Sequence, residues 1–179
     1  MISLLKYIFV IFSISAFVYT IIVPIRMHFN LYHGQNPYTQ NINKNILLWL
    51  IRVSHLSFVL FLGLYILFFN KPRYDWLYVL LTGLMIIHWK LYNGECILDF
   101  YEKKLLDPNY VSGSNIYDHI YVDLIYPHFL FIAIIFAMIT LVIIIYRSQL
   151  YIEYKIIIGI IVVYVYIRNL INRPIEYFI

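Results

Sequence analysis

The residues able to do chemistry in this chain are few, and most of them crowd together. The segment NGECILDFYEKKLLDPNYVSG, Asn93 to Gly113, carries Glu95, Asp99, Glu102 and Asp107 together with the only cysteine, Cys96. His119 and Asp123 follow at a spacing of four, on one face of a helix. Upstream, Arg52 and His55 stand three apart in an otherwise apolar run, and His88 and His128 lie in two further apolar runs. Carboxylate, thiol and imidazole groups in this mixture suit acid–base chemistry, a thiolate nucleophile or mixed metal ligation. The single cysteine excludes an internal disulfide framework, and no C-x-x-C or C-x-x-C-H holds zinc or attaches haem covalently. The sequence contains no P-loop, G-x-S-x-G, H-E-x-x-H or dinucleotide fingerprint. Paired interrupted helices of the secondary-transporter kind are not evident either.

The elements that must position these groups are set by composition. Of 179 residues, 63% are hydrophobic and 12% charged, and the mean hydropathy is +0.80, which makes the bilayer the natural solvent. The net charge of +4 is scattered rather than gathered into a basic stripe, which argues against nucleic acid and for lipid headgroups as the polar partner. Crossing about 30 Å of hydrocarbon takes roughly 20 apolar residues. Five stretches meet that length: Ile2 to Ile25, Ile46 to Phe69, Trp76 to Tyr92, Ile120 to Tyr146 and Tyr151 to Leu170. They are too long and too continuously apolar for barrel strands, so the expected fold is all-α: a polytopic helical bundle forming one integral membrane domain. No small-x-small pattern closes the first stretch, which reads as a retained helix rather than a secretory signal.

Short linkers at Asn70 to Asp75 and Arg147 to Leu150 make their flanking helices antiparallel neighbours. The two long linkers, MHFNLYHGQNPYTQNINKN and the acidic segment, then fall on one side of the membrane together with the C-terminus. Basic residues divide almost evenly between the two sides, and the compact loops at Lys71 and Arg147 favour a cytoplasmic N-terminus. Within the acidic linker, residues 97–106 show an apolar stripe of Ile97, Leu98, Phe100, Tyr101, Leu105 and Leu106 opposite Asp99, Glu102, Lys103 and Asp107. That pattern predicts an amphipathic helix lying along the interface, with Asp99 and Lys103 paired in the acid-first order. Asn115 is expected to cap the fourth span, and Pro127 to kink it beside His128.

With this topology, His55, His88 and His128 lie at similar depths, roughly 9 to 14 Å below the elaborated face at 1.5 Å per residue. Glu95, Cys96, His119 and Asp123 lie near its rim, and Arg52 and His55 mark the inward face of their span. Ionisable residues in a bilayer cost free energy and so turn toward one another. The candidate polar cluster is therefore His55, Glu95, Cys96, Glu102, His119 and Asp123. Neutral histidines in such helices commonly serve packing, through hydrogen bonds across a helix pair. The sharper alternative is a b-type haem held by two of His55, His88 and His128. No metal-ligand spacing is recognisable, and any cofactor stays open. Cys96, read as the end of the third span beside Glu95, should have its thiol pKa raised by the helix C-terminal carbonyls and the neighbouring carboxylate; were it instead the start of the interfacial helix, that helix's N-terminal amides would favour the thiolate.

The run HLSFVLFLGLYILF from His55, Trp76, then E-C-x-L-x-x-x-E from Glu95, Gly113, His119 and Tyr126–Pro127 resembles a family of small bacterial membrane proteins. That family reads H-L-x-F-V-L-F, C-P-L-T-x-x-E-N, G-F-x-x-H and Y-P, and has no established activity. The similarity covers about residues 49–130 and implies importance for His55, Cys96, Leu98, Glu102, Gly113, His119, Tyr126 and Pro127. Ile97 and Asp99 depart from it, where the family has proline and threonine. The sequence favours a structural or assembly component of a membrane or membrane complex, with homo-oligomers among its possible partners. The alternative is a small-molecule, redox or lipid-directed protein with a His/Glu/Cys site near one membrane face.

Overall fold

The computed structural model describes residues 3–28, 41–69, 72–114 and 129–171. Every regular element among them is helical. Ser3 starts α1 (Leu4–Phe17) by accepting from the Lys6 amide at 3.3 Å. The helix continues through a π-helical stretch, Val18–Ile22, into α2 (Val23–His28). Asn41 caps α3 (Ile42–Phe68), its Oδ1 accepting from the amides of Asn43 and Lys44. A 3-10 turn at Pro72–Tyr74 leads into α4 (Asp75–Leu91), and α5 (Ile97–Leu106), α6 (Phe129–Arg147) and α7 (Ile152–Ile171) complete the order. Two helical stretches, Leu4–Ile25 and Ile42–Phe68, are long and apolar enough to cross a membrane, and Ile132–Arg147 is a shorter apolar one.

α3 is the hub, packed against α1, α5 and α6 and, more lightly, α4. Antiparallel α1 lays Tyr7 against the rings of Phe61, Phe68 and Phe69, while its far end brings Thr20 to Trp49. Tyr78 donates to the Leu62 carbonyl at 2.8 Å and Tyr65 to Asp75 at 2.9 Å, which fixes the register of α3 against α4. Continued along both helices, that register puts Arg52 level with His88, within about one turn of the end of α4. At 1.5 Å per residue α3 runs roughly 40 Å and α4 roughly 25 Å, so the first turns of α3 reach past α4. The main core joins Ile11, Phe61, Leu62, Tyr65, Tyr78 and Leu141, and its outer surface is apolar: Leu5, Phe9, Leu67, Leu91 and Ile160 all stand exposed.

The helix expected over residues 97–106 is α5, and its charged face is buried while most of its apolar stripe is half-buried. Asp99, Glu102 and Lys103 are its buried residues, whereas Tyr101 is half exposed. Burying a charged face is costly, and here α3 and the α4–α5 turn supply the partners that offset it. A correction concerns Cys96. α4 stops at Leu91, Asn93 and Gly94 reverse the chain with positive φ, and Cys96 is the N-cap of α5 rather than the end of the preceding helix. Asn115 and Pro127 lie outside the described residues.

Candidate functional site

The site is built where α1, α3 and α5 meet. Arg52, 3% exposed, donates from Nε to Glu102 at 2.9 Å and from Nη1 to the Tyr19 hydroxyl at 2.6 Å. Tyr19 lies in the π-helical stretch that follows α1, a local distortion often found at functional positions. A lone guanidinium in an apolar helix needs a counter-ion, and α5 brings one from far along the chain. Burial pushes the Glu102 carboxyl up, Arg52 pulls it down, and the balance lies at about 7.

Lys103 holds the next layer. Its ammonium donates to Glu95 at 2.8 Å and to Asp99 at 2.9 Å, so the expected i,i+4 pair forms and gains a second carboxylate. Burial works against the ammonium, but Asp99 and Glu95 outweigh it and hold its pKa above the usual lysine range. Glu95 is fully buried and also accepts from the Tyr110 hydroxyl at 2.7 Å and the Ser112 hydroxyl at 3.3 Å. The carboxylate thereby ties the α4–α5 turn, α5 and the following loop into one unit. Gly113 closes that loop over the turn: its φ is +86°, and a Cβ added there would lie 2.7 Å from the Asn93 Cβ.

His55 and Cys96 form the third element. His55, buried one turn along α3 from Arg52, faces the Cys96 thiol, with Asp99 and Glu102 as its charged neighbours. Burial raises the thiol pKa, but the His55 charge and the backbone amides of Leu98 and Asp99 together bring it below the ordinary value. The raised pKa expected of a helix C-terminus is thus reversed, because the helix terminus that Cys96 meets is an N-terminus. The half-buried thiol thus sits between the His55 imidazole and the first amides of α5.

Of the six residues expected to cluster, His55, Glu95, Cys96 and Glu102 come together, and His119 and Asp123 lie outside the described residues. His128 does too, while His88 is half-buried against Tyr92 and His55 is turned to Cys96. Among the described residues no group of three or more His, Cys, Asp or Glu side chains could hold a metal ion. Tyr19, Tyr110 and Ser112 were not legible as members. A second pair at the opposite end of the bundle was also not legible: Arg147 donates from Nε to Asp75 at 2.7 Å and from Nη1 to the Phe69 carbonyl. Comparison of the chain with protein-family models, with curated proteins and with solved structures finds no match.

Proposed function

We propose that the chain is a multi-pass integral membrane protein, crossing the bilayer five times with a cytoplasmic N-terminus, and that it acts as a structural or assembly component of a membrane complex or homo-oligomer. Exposed apolar faces on α1, α4, α6 and α7 support the membrane reading, because soluble proteins do not leave such surfaces in water. The observation that carries the structural role is the completeness of the ion pairing beneath α5. Arg52, Glu95, Asp99, Glu102 and Lys103 are all buried, and every one is bonded to another member of the set. Groups already satisfied by one another fix helix packing rather than wait for a substrate. The closeness of His55 to Cys96 favours a second reading, a chemical site at the same membrane face.

The two readings separate on a native gel of mild-detergent extracts. As an assembly component, the protein migrates in a complex larger than one chain. Lys103→Ala dissolves that complex, while Cys96→Ser with His55→Gln leaves it intact. Loss of the complex in the second variant, with Lys103→Ala unaffected, would exclude the structural role.

A further inference from the structure

We propose that the main core of the bundle binds internal water among the hydroxyls of Tyr7, Thr140 and Tyr166, beside Tyr78. The site is separate from the ion pairs beneath α5. Tyr7 is 1% exposed, Thr140 and Tyr166 are fully buried, and none of the three hydroxyls has a hydrogen-bond partner among the described residues. They come from three different helices, α1, α6 and α7. Thr140 departs from the habit of this chain: Ser15, Ser57 and Thr82 each donate back to the carbonyl four residues earlier on their own helix, and Thr140 forgoes that bond.

Tyr78 marks where these groups converge. It shares one core with Tyr7 and Tyr166, and its hydroxyl lies 3.4 Å from the carbonyl of Ala137, one turn of α6 before Thr140. The hydroxyls of Thr140, Tyr166 and Tyr7 are the neighbours of the Tyr78 hydroxyl, near it without bonding to it. Tyr78 donates its own proton to the Leu62 carbonyl at 2.8 Å, and its oxygen keeps the capacity to accept.

The chemistry of this set selects its occupant. A buried hydroxyl left unbonded loses its hydration without compensation, so several in one core require a partner. That partner must accept from phenol hydroxyls and donate to the Tyr78 oxygen in the same place, and it must be small and uncharged. Water meets each condition. A bare ion does not, because the surrounding core is built from Ile134, Ala137, Leu141 and Ile144, and the Asp75–Arg147 pair is already bonded to Tyr65 and to the Phe69 carbonyl. The same pair marks the way in: Tyr65 donates to Asp75 at 2.9 Å and its ring lies 4.7 Å from that of Tyr78, so polar groups lead from that end of the bundle to the site.

The test uses the full chain in detergent micelles and two measurements. In the first, X-ray pulses split water into hydroxyl radicals, which oxidise side chains beside bound water even where bulk solvent does not reach, and mass spectrometry follows the sites after transfer into water labelled with heavy oxygen. The expected result is oxidation at Tyr7 or Tyr166, with the heavy oxygen arriving later than at the exposed Tyr151. The second is the thermal midpoint of Tyr166→Phe and of Thr140→Val, which remove one hydroxyl and keep the shape of the side chain. Loss of a bond to water should lower each midpoint by about 2 to 4 °C, whereas removing a hydroxyl that bonds nothing raises it. Tyr7 and Tyr166 both unmodified, at a dose that oxidises Tyr151, overturns the proposal even if the midpoints fall, since the hydroxyls then bond to the protein instead. Midpoints of both variants at or above that of the parent overturn it as well.

Discussion

Arg52 and Glu102, fifty positions apart in the chain, meet at 2.9 Å with their side chains 1% and 6% exposed. That contact decides how α5 sits. Without a cation on α3 the helix would gain nothing by turning Glu102 inward. With Arg52 present, the carboxylate goes inward and Tyr101 outward. Charge pairing of this kind adds little net stability over a well-packed apolar contact, but breaking it on one side leaves an uncompensated buried charge.

Lys103 is the cation with most to lose. Its replacement by methionine keeps the length of the side chain but leaves Glu95 and Asp99 facing each other without a counter-ion. Lys103→Met should destabilise the protein by about 3 to 5 kcal/mol, the scale of an orphaned buried charge. Unfolding in mixed micelles measures it; a change below about 1 kcal/mol would mean the carboxylates reach water.

The Glu102 carboxyl gives a signed pH dependence. Its folded pKa is raised from 4.5 to about 7, so the native state binds the proton more tightly than the unfolded chain. The contribution is fully present below pH 4.5 and is lost as pH rises through about 7. Glu102→Gln imitates the protonated form, and its stability should vary less with pH across that window than the parent's. Identical slopes for the two proteins would contradict the assignment.

Cys96 should react as a thiol with a lowered pKa. Its neighbours are the His55 imidazole and the backbone amides of Leu98 and Asp99; His55 in turn faces the charges of Asp99 and Glu102, and Glu102 pairs with Arg52. The rate of iodoacetamide alkylation should rise through an inflection below that of a free cysteine. His55→Gln should move the inflection up. A parent profile that inflects at or above the free-thiol value would remove the helix N-terminus and His55 as the cause.

Gly113 is required by two constraints at once, a left-handed backbone and the close approach of Asn93. Gly113→Ala should cost about 1 to 3 kcal/mol. Adding Asn93→Gly removes the Cβ contact and should restore part of that loss but not all, since the φ strain stays. Full restoration would show that the backbone conformation is not costly there.

The helices were legible in the sequence because their lengths follow from bilayer-sized apolar runs, and α3, α4 and α7 begin and end within a few residues of the runs that predict them. The inward face of α3 was legible too, because Arg52 and His55 are lone ionisable groups in an apolar run. The partners were not. Periodicity fixes which residues share a face of α5, but only contact with α3 decides which face turns inward. Glu95, Asp99 and Lys103 do recur at one-face spacing, a signal that a paired interior stripe was possible. Cys96 depended on a smaller matter, a few residues at the end of α4. Helix boundaries are set by local turns such as the positive-φ pair Asn93 and Gly94, and moving that boundary exchanges a helix C-terminus for an N-terminus at the sulfur.

The most direct measurement is a double-mutant cycle between Arg52 and Glu102, read by equilibrium unfolding in mixed micelles at pH 8. Arg52→Met and Glu102→Leu should each destabilise the protein alone, and the double variant should recover much of the loss, giving a coupling of about 1.5 to 3 kcal/mol. Single effects that add to within about 0.5 kcal/mol would mean that the two side chains do not meet, and that α5 is not held to α3 by its charged face.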